Sequence, residues 1–268
     1  MAGQPLIPKA NSKVKLDNFD PAYKDDTDKP AARHEIKELR VKMLELQERL
    51  YAEGKQSLLI VLQAMDAGGK DGTIKHVFGG VNPQGVRVTS FKAPTPEELA
   101  HDYLWRIHQH TPPKGYIGIF NRSHYEDVLI VRVNNLVPAE VWKERYAQIN
   151  HFEQRLVESG TRILKFFLHI SKDEQKKRFQ DRLDRPDKQW KFSTGDLPVR
   201  EKWADYMEAY EAVLTRCNTE FAPWMVIPAN RKWYRNLLVT RAIVQTLEDM
   251  NPVYPPPEPG LDEVVIPD

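Results

Sequence analysis

Ser57-Leu58-Leu59-Ile60-Val61-Leu62-Gln63-Ala64-Met65-Asp66-Ala67-Gly68-Gly69-Lys70-Asp71-Gly72-Thr73 reads as a buried strand running into a glycine-rich turn and the first turn of a helix. The apolar run before Gln63 is short and lacks polar alternation, as in a strand covered on both faces. Small residues at Ala67, Gly68 and Gly69 let backbone N–H groups turn inward. The helix that opens near Lys70 adds the positive end of its dipole, and Lys70 brings a mobile charge. These features predict an anion hole for a phosphate chain. The stretch departs twice from the general pattern G-x-x-x-x-G-K-[ST]: Ala64 stands in place of the first glycine, and Asp71 in place of the hydroxyl residue that holds magnesium.

The alternation of strand and helix extends in both directions. Ahead of the loop, Ile36, Leu39, Met43, Leu46 and Leu50 recur at steps of three and four, which predicts an amphipathic helix stopped at Gly54. Behind it, strands are predicted at 86–91, 116–120, 163–170 and 224–227. Helical patterns lie between them, through Leu99, Tyr103 and Ile107, around Trp142 to Leu156, after Ile170, and from about Trp233 to Met250. Five such strands joined by helical crossovers predict an α/β protein. Its parallel five-stranded sheet would be covered by helices on both faces, with the ligand at the carboxyl ends of the strands. Prolines and polar residues mark 1–30 as an arm lying on the surface or wrapping a partner subunit, and 251–268 as an extended proline-rich tail. The domain between them spans 31–250, with a lid over about 171–197.

Lys and Arg total 39 against 38 Asp and Glu, so a net charge of +1 over 268 residues argues against nucleic acid or a membrane surface as partner. The lone Cys217 excludes an intramolecular disulfide. No apolar run approaches a membrane span and no secretory signal is evident, so the expectation is cytoplasmic residence.

Within the loop Asp66 is anomalous, because a carboxylate at about 4 Å from a phosphate repels it by about 4 kcal/mol. Magnesium bridging Asp66 and phosphate oxygens reverses that sign, with Asp71 or Thr73 contributing; a general-base role for Asp66 is the alternative. Ala67, Gly68, Gly69, Lys70, Asp71, Gly72, Thr73, Lys75 and His124 are the candidate phosphate ligands. The strand at 116–120 ends in Asn121-Arg122-Ser123-His124-Tyr125-Glu126-Asp127. There Arg122 can fork across two phosphate oxygens, and Glu126 or Asp127 can be a second metal ligand. Asn121, Arg122, Glu126 and Asp127 are thus candidates for nucleotide binding, and Asp66 with Asp127 for metal. Beyond Ile170, Arg178, Arg182 and Arg185 share one helix face among eight basic and five acidic residues in 172–191. That face is either solvated and salt-bridged or a lid whose arginines close over phosphates.

Residues 62–73, 120–131 and 165–185, with Trp190-Lys191-Phe192 and 224–233, resemble the polyphosphate kinase 2 family over about 30–250, most closely its class III members. The resemblance implies a P-loop kinase fold similar to thymidylate kinase. It also implies reversible transfer of the terminal phosphate of inorganic polyphosphate to AMP and ADP, with Mg2+, or Mn2+ in its place. The family's loop pattern G-x-D-x-x-G-K accounts for Asp66. By position, Asp66 and Lys70 match the family's loop acid and lysine, Asn121, Arg122 and Asp127 its second motif, and Arg178 and Arg182 its lid. Asp66, Lys70, Arg122, Asp127, Arg178 and Arg182 are therefore the expected catalytic set. The same motifs also suit an ATP-dependent nucleoside or nucleotide kinase. A guanine-nucleotide switch is disfavoured, since no N-K-x-D signature is present. A homo-oligomer, dimer or tetramer, is the expected assembly.

Overall fold

The computed structural model describes residues 7–267. Five parallel strands, β1 (Ser57–Gln63), β2 (Val86–Ser90), β3 (Ile117–Asn121), β4 (Thr161–His169) and β5 (Trp224–Pro228), form one sheet in the order β2-β3-β1-β4-β5. β1 is buried along its whole length because it pairs with β3 on one side and β4 on the other, Leu62 facing Asn121 and Phe166. Its side chains alternate between two cores. Leu58, Ile60 and Leu62 enter one core, and Leu59 and Val61 the other.

The helices are α1 (Lys29–Glu53), α2 (Lys70–Val77), α3 (Pro96–Leu99), α4 (Trp105–His108), α5 (Ile130–Val133), α6 (Ala139–Glu158), α7 (Lys172–Asp184), α8 (Asp196–Glu201), α9 (Trp203–Arg216) and α10 (Lys232–Met250). α1 and α10 cover the first face through Met43, Leu46, Leu50, Leu237, Ile243 and Leu247. α6 and α9 cover the second through Ile149, Phe152, Tyr210 and Val213. Strand order reverses around β1, since the chain leaves through α2 to one flank of the sheet and returns across β1 to β4. The crevice at the carboxyl end of β1 is thus the topological switch point.

One predicted element differs. The helix through Leu99, Tyr103 and Ile107 is broken into the single turns α3 and α4. Asp102 interrupts it, its Oδ1 accepting from the Leu104 N–H at 2.9 Å, and Leu99 is left exposed. The arm is described over residues 7–28, and residues 1–6 lie outside the described residues. Val14 and Leu16 are buried in the second core, and the Leu16 N–H donates to Glu211 Oε1 at 2.9 Å. That part of the arm packs on its own chain. α1 begins at Lys29, where Asp28 caps the Ala31 N–H and Pro30 occupies the first turn. It ends at Gly54, whose φ of 63° closes the helix with an N–H to Leu50 O. Beyond α10 the tail runs without helix or strand until a 3-10 turn at Leu261–Glu263, and Tyr254 donates from its hydroxyl to Glu48 on α1. Among the described residues no helix is long and apolar enough to cross a membrane.

Candidate active site

β1 hands the chain to a loop whose geometry separates donors from acceptors. Ala67 and Gly69 have φ of 59° and 105°, and these positive values turn the backbone so that α2 starts at Lys70. The loop carbonyls are held from behind. Met65 O accepts from the Gly68 N–H (2.9 Å), Asp66 O from Gln175 Nε2 (2.9 Å), and Ala67 O and Gly68 O from Arg178 Nη1 (2.9 and 3.0 Å). The Thr73 N–H donates to Gly69 O at 2.8 Å, while the N–H groups of Lys70, Asp71 and Gly72 stand in the open first turn of α2. With acceptors tied back and donors free, the loop presents an anion hole. Lys70 lies over it. Its Nζ donates to Ala64 O at 2.8 Å, and burial, followed by the neighbouring Arg122, lowers its pKa against the pull of Asp66, Glu126 and Asp71.

Asp71 is exposed and accepts from Asn121 Nδ2 at 2.6 Å, joining the ends of α2 and β3. Lys75, one turn further along α2, lines the same cavity. Thr73 does not reach it: the side chain is buried and its hydroxyl donates to Gly69 O at 3.1 Å. The expected phosphate contact from Thr73 is therefore replaced by a cap on the loop.

The second motif divides at Ser123. Arg122, with φ of 62°, donates its N–H to Leu62 O and extends Nη2 to Asp66 Oδ1 at 2.9 Å. Burial opposes its charge, but Glu126 and Asp66 outweigh burial and raise its pKa. A 3-10 turn, His124–Val128, then drives His124 and Tyr125 inward, and Ser123 Oγ accepts from the Tyr125 N–H. His124, expected on the phosphate chain, is fully buried against Glu153 Oε1 at 3.2 Å and does not line the cavity. Glu153 also accepts from the Tyr125 hydroxyl (2.7 Å) and from Lys165 Nζ (2.5 Å), and Lys165 is fully buried as well. Burial lowers the His124 pKa, so the imidazole is held neutral as a structural partner.

Asp127 is likewise turned away. It pairs with Arg145 Nη1 at 2.8 Å outside the cavity lining, and burial pushes its carboxyl up to about 6. The acid whose charge acts on Lys70, Arg122 and Asp66 is Glu126, itself raised by burial. The expected metal pair of Asp66 with Asp127 is thus not brought together. Glu126, one residue earlier on the 3-10 turn, interacts electrostatically with Arg122, Lys70 and Asp66, but like Asp127 it does not line the cavity.

In the lid, α7 carries Arg178 against the loop rather than above it. Its five N–H groups meet Glu174 Oε1 (2.8 Å), Ala67 O, Gly68 O, Ala229 O (2.5 Å) and Asn230 O (3.2 Å). Arg178 lines the cavity with its N–H groups engaged on these acceptors, so it props the loop and does not reach over it as the free clamp expected from the sequence. Arg182 remains at the cavity wall, donating to Lys191 O at 3.0 Å and lying 3.7 Å from Asp196. Arg185 pairs with Asp187 outside the cavity.

The loop, β3, lid, α1 and α10 enclose a cavity of about 1290 Å³. Fourteen Lys and Arg side chains line it against four Asp, a concentration of positive charge in a chain whose net charge is +1. Among those missed from the sequence, Lys29, Arg33, Lys37 and Arg40 form one stripe of α1. Their spacing of four, four and three, which puts them on one helix face beside the apolar stripe, is the signal in the sequence that marks them. Lys232 and Arg235 at the start of α10 left no local signal. Among the described residues no group of three or more His, Cys, Asp or Glu could hold a metal by itself. Asp66 at the loop, with Glu126 near it, suits an ion that keeps most of its ligands as water and phosphate oxygens, as Mg2+ does.

Residues 26–255 match the family described as polyphosphate kinase 2. The AMP/ADP-polyphosphate phosphotransferase of Meiothermus ruber is 57% identical over 261 residues, covering 96% of this chain and 97% of that protein. The ADP-polyphosphate phosphotransferase of Rhodopseudomonas palustris is 47% identical over 240 residues, 85% of this chain and 83% of that one. The crystal structure of polyphosphate kinase 2 from Arthrobacter aurescens TC1 superposes with a TM-score of 0.90 at 44% identity, covering 96% and 95% of the two chains. A P-loop joined to β1, a cationic cavity at the switch point and these matches along nearly the whole chain agree: the protein belongs to the polyphosphate kinase 2 family.

Proposed function

We propose that this protein transfers the terminal phosphoryl group of inorganic polyphosphate to AMP or ADP, giving ADP or ATP. The observation that carries the reading is the basic stripe of Lys29, Arg33, Lys37 and Arg40 along the cavity. From Lys29 to Arg40 it runs about 16 Å along α1 at the helical rise per residue. Lys75 and His76 of α2 stand at the same cavity. A long, uniformly anionic donor matches such a wall, whereas the base and ribose of ATP would meet cationic side chains there. This favours polyphosphate over ATP as donor, although both present similar oxygens to the loop. The names of the Meiothermus ruber and Rhodopseudomonas palustris relatives support the same choice.

In this reading the terminal phosphate sits on the 70–72 N–H groups with Lys70 and Arg122 at its oxygens. A terminal oxygen of the acceptor nucleotide attacks the phosphorus, the bond to the next phosphate of the chain breaks, and the shortened polyphosphate leaves. The acceptor oxygen is already largely ionised near neutral pH, so no side chain has to remove a proton. The protein contributes position and charge: Lys70, Arg122 and the loop amides hold the reacting oxygens in line, and Arg182 closes from the lid. Asp66 would hold Mg2+ brought in with the phosphate chain, which supplies neutralisation of charge at the transferred group.

The test is to incubate the purified protein with Mg2+, long-chain polyphosphate and either AMP or ADP, and to follow ADP and ATP by chromatography. A parallel arm replaces polyphosphate by ATP, with nucleosides and AMP as acceptors. Nucleotide formation from polyphosphate is expected. Product in the ATP arm alone would overturn the reading in favour of an ATP-dependent kinase.

A further inference from the structure

Arg235 is a buried cation without a counter-charge. It is 2% exposed, on the first turn of α10 beneath the phosphate loop. Among the described residues no carboxylate pairs with it, and the charge beside it is another cation, Arg178. Arg178 has Glu174 and four carbonyls; Arg235 has little. Its Nε and Nη2 both donate to the one oxygen Asn236 Oδ1, at 3.1 and 2.8 Å, and Nη1 reaches Gly68 O only at 3.5 Å. Burial, with Arg178 next to it, pushes its pKa down to about 9. A guanidinium in this position is strongly unfavourable unless something anionic completes it.

The loop is shaped around this side chain. A Cβ on Gly69 would collide with Nη1 of Arg235, and one on Gly72 would lie 3.5 Å from Nη2. Two glycines thus let the guanidinium approach the backbone from which the 70–72 N–H groups point. Arg235 and Asn236 both line the cavity. We propose that Arg235 is a phosphate ligand built into the base of the loop: its remaining Nη donors bind an oxygen of the phosphate seated on those N–H groups, and that phosphate supplies the missing counter-charge. The inference rests on the phosphate chain occupying the loop, as proposed above, but not on which donor brings it.

The experiment compares wild type with Arg235→Met and Arg235→Gln, the second keeping a hydrogen bond to Asn236. Thermal unfolding of the free proteins is measured together with calorimetric titration of sodium tripolyphosphate and, separately, ATP. Without ligand, both variants should unfold at or above the wild-type temperature, since an unpaired buried charge is gone. Tripolyphosphate should bind them about 10- to 100-fold more weakly, the loss of one charged hydrogen-bonding partner. A purely structural arginine gives the reverse, lower unfolding temperatures with tripolyphosphate affinity within twofold of wild type, and that result overturns the proposal. If wild type binds ATP and not tripolyphosphate, the polyphosphate reading fails and the same contrast is read on ATP. Binding of neither by wild type overturns both.

Discussion

Oδ1 of Asp66, at the carboxyl end of β1, accepts a hydrogen bond from Nη2 of Arg122, at the carboxyl end of β3, at 2.9 Å. The carboxylate that ought to repel a phosphate from its own loop is therefore partly neutralised before any ligand or metal arrives, and the pair ties the two motifs across the central strands.

Replacing Asp66 separates binding from turnover. In Asp66→Asn the Arg122 guanidinium is released toward the phosphate chain while a carboxylate is lost at the reacting centre. The turnover number should fall by about 100-fold or more, as when a group serving the transition state is removed. The KM for polyphosphate should be unchanged or lower, and raised Mg2+ should restore part of the rate. Initial rates over a polyphosphate series decide it; full turnover in the variant would remove Asp66 from the chemistry.

Arg178 should not tolerate lysine. Five directed N–H groups meet five acceptors around the loop, and an ammonium offers three. Arg178→Lys is expected to lose about 2 kcal/mol or more of stability, because buried loop carbonyls lose their donors. Turnover should fall with it. Urea unfolding alongside kinetics checks this, and a variant as stable as wild type would contradict the role assigned to Arg178.

The buried pair Lys165 and Glu153 supports the second motif through Tyr125 and His124. Lys165→Met strands a carboxylate in the core and should cost about 3–5 kcal/mol. Pairing it with Glu153→Leu should recover much of that loss, since neither charge then remains. Chemical denaturation of the single and double variants measures the difference, and equal losses in both would refute the coupling.

Asp127 introduces a pH dependence unrelated to phosphate. Its folded pKa of about 6 lies above the ordinary carboxyl value, so the folded protein holds this proton more tightly than the unfolded chain. The associated stabilisation is complete below pH of about 4 and is lost as pH rises through about 6, at most about 3 kcal/mol. Asp127→Asn should flatten that part of the stability curve between pH 4 and 7. Parallel curves for the two proteins would show that Asp127 is not perturbed.

Much of this was legible locally. β1, β3, β4 and β5 are short, largely apolar runs set off by glycine or polar residues, while the edge strand β2, Val86-Arg87-Val88-Thr89-Ser90, alternates apolar and polar residues and is only partly buried. The loop's small residues and Lys70 follow directly after one of them, so the parallel sheet and its phosphate site could be read from 57–73 outward. Arg122 was also readable, because the residue after a buried parallel strand must emerge at the ligand-binding edge. Glu126, Asp127 and His124 were not resolvable in the same way. Successive side chains turn by about 120° in a 3-10 helix and about 100° in an α-helix, and this difference of about 20° per residue accumulates enough over three neighbours to exchange which faces the loop and which the core.

Sequence alone was sufficient for whatever depends on neighbours along the chain: strand, turn, helix start, and the chemistry of a glycine-rich anion hole. Tertiary structure was needed wherever partners are remote. Arg178 meets the carbonyls of Ala67 and Gly68 across more than a hundred residues, Lys165 finds Glu153 and Tyr125 inside the core, and Arg235 arrives beneath Gly69 from the last helix. An arginine's side chain is long enough either to clamp a ligand or to prop a loop. Which of these it does depends on the acceptors packing brings within 3 Å, and no spacing in the sequence encodes them.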